Sequence, residues 1–238
     1  MIITNDCIKE GIYAFIDIRG FTKWSLDNQL EIKKLLEIFY DCGIQSFGER
    51  KEQSYLKRIV KYLGDGFFAV NEYDPNTEND LDLIDSMNQM VASSCNLIIE
   101  FRKRIVRSSL HDKNRIGIGI GISYGPSLRF NLKGQPFDYS GKSINTASRL
   151  CSVAMDGEIV MESDIEKYYL SKKLIIPNGF SCLLKDKEPK KMDKIVTFCL
   201  DYDRSESNKI ANPAILAVAQ SVLDIAERIK ETKTSKSD

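Results

Sequence analysis

Two aspartates each lie at the end of an apolar segment of this chain. Asp17 lies in YAFIDIRGFT (residues 13–22), and Asp65 lies in KYLGDGFFA (residues 61–69). Carboxylate oxygens suit Mg²⁺ and Mn²⁺, so two such side chains held close together could bind a pair of divalent cations. Taken singly, Asp17 could merely cap the next turn and Asp65 could merely be a turn residue. Both interpretations stay open for either residue alone.

A second polar cluster follows in FDYSGKSINTASRL (residues 137–150). Asn145 and Arg149 are four residues apart on a predicted helix, so their side chains point the same way. A guanidinium presents several donors in a fixed fork, which suits a phosphate oxygen. The alternative for Arg149 alone is a surface salt bridge. Lys61 and Asp138 add one donor and one acceptor, with a solvated strand residue and a turn former as their alternatives.

The apolar pattern predicts the elements that position these residues. Residues 11–18 are apolar without polar alternation, as in a strand buried on both faces. Gly64-Asp65-Gly66 between residues 56–63 and 67–70 predicts a β-hairpin with Asp65 at its tip, because glycine tolerates positive φ. Two long helices are predicted, one from Ser25 to Gly43 and one over residues 81–106.

The remaining elements alternate between strand and helix. Residues 115–124 alternate glycine and isoleucine, which predicts a strand with one bulky face and one bare face that a helix or a partner subunit can approach. The other predicted elements are an irregular arm over residues 126–136, helices over 143–155 and 164–171, and strands near 158–161, 180–184 and 195–200. This order predicts an α/β (α+β) domain with one mixed sheet and helices packed on it.

The last part of the chain has a different pattern. After a polar segment, Asn212-Pro213 opens a predicted amphipathic helix with apolar residues on one face from Ile215 to Ile229. We expect an appended helix and polar tail over residues 204–238, following a domain over residues 1–203.

The composition excludes several classes of function. Lys+Arg and Asp+Glu both number 34, so no global field attracts nucleic acid or an anionic membrane. The six cysteines are never closer than 17 residues, which excludes Cys-x-x-Cys sites, and the single histidine argues against histidine triads and zinc catalysis. No signal peptide or apolar run of ~18 residues is present. These features predict a cytoplasmic protein without membrane or nucleic-acid partners.

Three patterns together resemble the catalytic domain of class III nucleotidyl cyclases. They are F-x-D-I-x-G-F-T around Asp17, K-x-x-G-D-G around Asp65, and D-x-x-G-x-x-I-N-x-x-x-R from Asp138 to Arg149. The resemblance spans about residues 11–200 and implies the family's ferredoxin-like fold. It also implies a nucleoside triphosphate substrate, a cyclic 3′,5′-nucleotide and pyrophosphate as products, and a homodimer with composite active sites.

The resemblance assigns roles to individual residues. Asp17 and Asp65, with the Ile18 carbonyl, would bind two divalent cations, Mg²⁺ or Mn²⁺. Lys61 and Asp138 would recognise the adenine edge, and Lys185 would bind the triphosphate. Asn145 would orient the ribose, and Arg149 would stabilise the charged phosphorus in the transition state.

Three functions follow from this resemblance. Lys61 and Asp138 favour ATP as substrate and cyclic AMP as product. Uracil and cytosine also present mixed donor and acceptor edges, so a pyrimidine cyclase that makes cyclic UMP or cyclic CMP, as in Pycsar-type antiphage defence, is the alternative. A second alternative is an inactive nucleotide-binding module that regulates a partner.

Overall fold

The computed structural model describes residues 7–48, 59–131, 137–190 and 194–203. Within these ranges eight strands form one mixed sheet in the order β2-β3-β1-β4-β6-β8-β7, and β5 pairs with β4 outside this path. The strands are β1 (Cys7–Arg19), β2 (Ile59–Tyr62), β3 (Gly66–Glu72), β4 (Gly117–Asn131), β5 (Phe137–Ser140), β6 (Glu158–Glu162), β7 (Phe180–Lys187) and β8 (Ile195–Tyr202).

Five α-helices accompany this sheet in the described part of the chain. They are α1 (Phe21–Asp27), α2 (Ile32–Phe47), α3 (Leu81–Arg107), α4 (Lys142–Val153) and α5 (Glu166–Leu170). The β4–β6 pair is parallel, and the other strand pairs of the sheet are antiparallel. The predicted α/β (α+β) architecture with one mixed sheet is confirmed.

The strand β1 lies at the centre of the sheet, between β3 and β4. Seven of its residues pair with β3, from Gly11 to Asp17, and the whole strand pairs with β4. Ile12, Ile16 and Ile18 are buried on one face. Because both neighbours are hydrogen-bonded along its length, the position of Asp17 near the end of β1 is fixed by two ladders.

The helices α2 and α3 cover one face of the sheet through aromatic packing. The ring of Phe39 in α2 has its centroid 5.3 Å from that of Phe67 in β3 and 6.0 Å from that of Phe101 in α3. All three side chains are buried. Burial of such rings supplies much of the free energy that holds helices to a sheet.

The helix α4 lies on the opposite face, where β4 presents its glycines. Ile118, Ile120 and Ile122 enter the core on the α3 side, so the alternating glycines face α4. A Cβ atom on Gly121 would lie 2.0 Å from the Cys151 nitrogen and 2.3 Å from the Ala147 oxygen. The backbone of α4 therefore touches the backbone of β4, and the predicted helix approach is confirmed.

Two predicted boundaries were wrong. The helix predicted from Ser25 to Gly43 is two helices, α1 and α2, separated by a short 3₁₀ turn at Gln29–Glu31. Gly43 lies inside α2, where its missing side chain makes room for the ring of Phe67, and the helix ends instead at Gly48, whose φ is 70°. Gly43 therefore allows the packing of α2 against Phe67, and Gly48 caps the C-terminus of α2.

The irregular arm predicted over residues 126–136 was also wrong in its first half. β4 continues through Pro126 to Asn131 and pairs with β5 as a hairpin. Pro126 is tolerated because, among the described residues, it lies between the part of β4 that pairs with β6 and the part that pairs with β5, so one edge of the strand has no ladder there. Residues 132–136 and the predicted C-terminal helix from Asn212 lie outside the described residues, as do residues 56–58 of the predicted β2 strand.

The contact between α4 and β4 predicts a large effect for one methyl group. Gly121→Ala is expected to destabilise the fold by about 1–3 kcal/mol or more, because the new Cβ has only backbone atoms to displace. Urea denaturation of the variant measures this loss. Ser148→Ala, on the exposed side of α4, is the control and is expected to leave the midpoint unchanged. Equal stability of Gly121→Ala and wild type would contradict this packing.

Candidate active site

Asp17 lies two residues before the end of β1, between two glycines on neighbouring strands. Its register partners are Gly66 on β3 and Gly119 on β4. The carboxylate is therefore flanked by bare backbone, and its side chain remains 37% exposed. A Cβ atom on Gly66 would lie 3.5 Å from Asp17 Oδ1 and 2.5 Å from the Ile16 oxygen. A side chain at Gly66 would therefore collide with the backbone of β1 beside this carboxylate.

Asp65 lies in the turn that joins β2 to β3, as predicted. Gly64 has a φ of 81°, and the Leu63 nitrogen donates to the Gly66 oxygen over 2.8 Å, which closes a tight turn. The Ile18 nitrogen donates to the Asp65 oxygen over 2.9 Å. This hydrogen bond holds the hairpin against β1 and brings the segments of Asp17 and Asp65 together.

A tyrosine on α2 supports the hairpin from the other side. The Tyr40 hydroxyl donates to the Gly64 oxygen, and the Tyr40 ring packs edge-on against Tyr62, with centroids 4.8 Å apart. Burial, followed by the charge of Asp65, raises the pKa of the Tyr40 hydroxyl. The Gly64-Asp65 turn is therefore held through two backbone carbonyls, that of Asp65 by the Ile18 nitrogen and that of Gly64 by the Tyr40 hydroxyl.

The electrostatics of Asp17 favour a cation at this point. Burial raises the pKa of Asp17, Arg19 lowers it, and the charge of Asp65 raises it again. A carboxylate whose ionisation is opposed by burial and by a neighbouring negative charge is a ligand that a divalent cation stabilises. The described residues hold no group of three or more His, Cys, Asp and Glu side chains suited to a metal, so backbone oxygens such as that of Ile18 and substrate oxygens would complete the coordination.

Lys61 and Asp138 meet although 77 residues separate them. The Lys61 ammonium lies 3.0 Å from Asp138 Oδ2. Tyr139 helps to fix the aspartate, since its nitrogen donates to Asp138 Oδ1 over 2.9 Å and its hydroxyl donates to Glu72 over 2.6 Å. The Tyr139 ring also packs against Phe68 of β3. The β4–β5 hairpin thus curls over the sheet and brings one donor and one acceptor together.

Asn145 and Arg149 share one side of α4, as the spacing predicts. Asn145 is exposed and Arg149 is half-buried. Within the described part of the chain, neither side chain donates a hydrogen bond, and neither is paired with Asp17 or Asp65. The structure therefore brings these two residues together without placing them against the carboxylates of the same chain.

Lys185 lies in a network of ion pairs in the middle of β7. Its ammonium is 2.8 Å from Glu158 Oε1 and 3.1 Å from Asp201 Oδ2. Lys187 lies 2.7 Å from the other Glu158 oxygen. Burial would raise the pKa of Glu158, but the bonds from both lysines outweigh it and hold the pKa below its usual range. Lys185 therefore has a partner already, which the spacing argument did not foresee.

Two charged residues of this region were missed in the sequence. Glu158, whose side chain is 4% exposed, was read only as the start of a strand. Arg19 lies 3.4 Å from the Asp17 carboxylate. Strand alternation could have found Arg19, because residues two apart lie on the same face. No signal in the sequence identified the partners of Glu158, which come from a distant strand.

Comparisons with known proteins identify the family of this domain. The family model of the adenylate and guanylate cyclase catalytic domain matches residues 9–201. A search of curated protein sequences gives no match. No helix in the described ranges is long and apolar enough to span a membrane.

Three solved structures illustrate the shared fold. The adenylyl cyclase CyaB from P. aeruginosa is 21% identical, with a TM-score of 0.55 over 84% of this chain and 96% of that one. The guanylyl cyclase Cya2 is 19% identical, with a TM-score of 0.57 over 82% and 92%. The catalytic core of a rhodopsin-guanylyl cyclase with converted specificity, in complex with ATPαS, is 23% identical, with a TM-score of 0.55 over 84% and 99%.

The family model covers most of the chain, and its match includes both aspartate segments, the Lys61–Asp138 pair and α4. The solved cyclase domains share the fold over 82% to 84% of this chain. The chain therefore belongs to the class III family of adenylate and guanylate cyclase catalytic domains.

Proposed function

We propose that this protein is an active nucleotidyl cyclase that converts a nucleoside triphosphate, with ATP favoured, to a 3′,5′-cyclic nucleotide and pyrophosphate. The observation that carries the proposal is the junction of β1 with the β2–β3 hairpin, where Asp17 and Asp65 converge. All the polar groups that the family resemblance requires are present in this chain. An inactive binding module would be expected to lack at least one of them.

Two divalent cations, Mg²⁺ or Mn²⁺, fit the carboxylates of Asp17 and Asp65 together with the Ile18 carbonyl. When bound, such ions lower the pKa of the 3′-hydroxyl and neutralise charge on the phosphates. The chain contributes carboxylates on rigid strands, which hold their positions before substrate arrives. Gly66 lets the backbone of the hairpin approach the backbone of β1 closely beside Asp17.

The substrate site is proposed to be composite, with two equivalent sites in a homodimer. Asn145 and Arg149 have side chains without hydrogen-bond partners in the described part of their own chain, and they are apart from Asp17 and Asp65. A second subunit that faces α4 would supply the missing carboxylates. A two-fold axis then generates both sites at once.

Asn145 and Arg149 act on the substrate from the second subunit. The Asn145 amide can both donate to and accept from ribose hydroxyl groups, and so orient the 3′-oxygen towards the α-phosphorus. The Arg149 guanidinium donates to an oxygen of the α-phosphate as negative charge develops there in the transition state. Both residues lie on α4, a helix fixed by backbone contact with β4.

Base recognition is proposed to come from Lys61 and Asp138. Adenine presents an acceptor at N1 next to a donor amino group, which matches one ammonium and one carboxylate 3.0 Å apart. The two side chains satisfy each other in the free protein, so the base must replace their ion pair with two hydrogen bonds of its own. A base of different shape can offer similar groups, which keeps UTP and CTP as alternative substrates.

Lys185 is proposed to bind the triphosphate. Glu158 and Asp201 hold its ammonium in place, and that ammonium carries three donors. One donor therefore remains for a phosphate oxygen. The two carboxylates restrain the lysine and also raise its pKa, against the lowering effect of burial.

The substrate is tested by incubating the purified protein separately with ATP, GTP, CTP and UTP in Mn²⁺ or Mg²⁺. Mass spectrometry should detect cyclic AMP and pyrophosphate from ATP, and Asp65→Ala should form neither although it folds. Cyclic UMP or cyclic CMP as the main product would support the cyclase activity but contradict the assignment of ATP as the favoured substrate. Absence of product from all four nucleotides would contradict the proposed activity and favour the binding module.

The role of Lys185 is tested against Lys187, which also donates to Glu158. Lys185→Gln is expected to raise KM for the nucleotide about 10-fold to 100-fold, because a charge-assisted hydrogen bond to phosphate is lost. Lys187→Gln should leave KM unchanged. Both variants should unfold at lower denaturant, by about 1–3 kcal/mol, since Glu158 keeps only one ammonium. Equal KM values in the two variants would show that Lys185 is only structural.

A further inference from the structure

Arg19 joins two parts of the site that the sequence analysis treated separately. It is the last residue of β1, two residues beyond Asp17, so both side chains leave the same face of the strand. The Arg19 Nη1 lies 3.4 Å from Asp17 Oδ2, and the arginine side chain is only 22% exposed. One end of this guanidinium therefore holds the carboxylate in one orientation.

The other end of the guanidinium reaches α4. The Arg19 Nη2 donates to the Cys151 carbonyl over 2.7 Å and lies 3.1 Å from the Cys151 sulfur. Cys151 is in the last turn of α4, where a positive charge is favourable, and its carbonyl also accepts a hydrogen bond from the Ala154 nitrogen over 3.1 Å. Arg149 lies only two residues before this contact. Arg19 therefore braces the end of the helix that carries Arg149.

This arrangement comes with an unfavourable feature. The Arg19 Nε is buried without a hydrogen-bond partner. It lies above Gly119, where a Cβ atom would approach it to 2.3 Å. A buried donor without a partner destabilises a protein. The contacts of Arg19 Nη1 with Asp17 and of Nη2 with Cys151 must therefore outweigh this loss of stability. A lysine could reach one partner without an orphaned donor, but it lacks a planar fork that spans both.

We propose that Arg19 is a positioning residue of the cyclase site, which holds the Asp17 carboxylate and braces the helix of Asn145 and Arg149. This inference rests on the proposed function. In the proposed homodimer, Asp17 serves one site while α4 of the same chain serves the other, so each Arg19 contacts both sites. The positive charge of Arg19 lies beside the carboxylate that would hold a cation, and so opposes the binding of one.

The two contacts predict effects of opposite sign, which separate positioning from general stability. Arg19→Gln removes the competing charge and should bind Mn²⁺ several-fold more tightly, in titrations of the free Mn²⁺ signal by electron paramagnetic resonance. Its turnover should fall by about 10-fold to 100-fold with little change in KM, because Arg149 loses its brace. Arg19→Lys keeps the charge, so its Mn²⁺ affinity should stay near wild type while its turnover falls as well.

Arg102→Gln provides the matched control. Arg102 has the same side-chain exposure and lies 3.4 Å from Asp156, on the α3 side of the sheet. This variant should keep both Mn²⁺ affinity and turnover. Wild-type turnover in both Arg19 variants, or weaker Mn²⁺ binding by Arg19→Gln, would overturn the inference. If Arg19→Gln fails to fold, Arg19→Lys alone decides it, through lower turnover at unchanged Mn²⁺ affinity.

The same measurements distinguish this inference from the proposed function. A wild-type protein that binds no Mn²⁺ and forms no product would contradict both the proposed function and the role of Arg19. A wild-type protein that binds Mn²⁺ and is active, with Arg19 variants that match it in both respects, would remove only the role of Arg19.

Discussion

The candidate site depends on one backbone hydrogen bond, from the Ile18 nitrogen to the Asp65 oxygen. It fixes a hairpin tip against the central strand of the sheet, and so places two acidic residues in one small region. Their mutual repulsion is the physical constraint that follows, because burial and the charge of Asp65 both oppose ionisation of Asp17.

The glycines around Asp17 allow other parts of the chain to approach its strand closely. Gly66 and Gly119 stand beside Asp17 on its two neighbouring strands. Two residues beyond Gly119 on β4, Gly121 allows the backbone of α4 to contact the sheet directly. The glycine face of β4 thus allows other groups to approach the strand closely, and its isoleucine face packs in the core. Stability and access to the site come from alternating residues of the same strand.

Local patterns in the sequence predicted much of this arrangement. The Asp-Gly hairpin around Asp65, the Gly–Ile strand and the i, i+4 pair on α4 all depend on residues near one another in sequence, and the structure has each of these elements. Both bounds of α2 and the extent of β4 were missed, because tertiary packing overrode the local signals of Ser25, Gly43 and Pro126.

Charge networks could not be predicted in the same way. Lys61 and Asp138 were expected to meet only because the family resemblance paired them. The partners of Lys185 and Arg19 come from distant strands and from the end of α4. No periodicity encodes such contacts, since they depend on which strands become neighbours. The assignments of metal, base and phosphate roles therefore remain proposals built on this geometry.

The central claim is that the carboxylates of one subunit and α4 of another form one site. It is tested most directly by mixing two variants, Asp65→Ala and Arg149→Ala, each of which should be nearly inactive alone. After subunit exchange, mixed dimers contain one intact site and one site that lacks both groups, so activity should recover to about one quarter of wild type. Mixtures that stay as inactive as the separate variants would contradict a composite site.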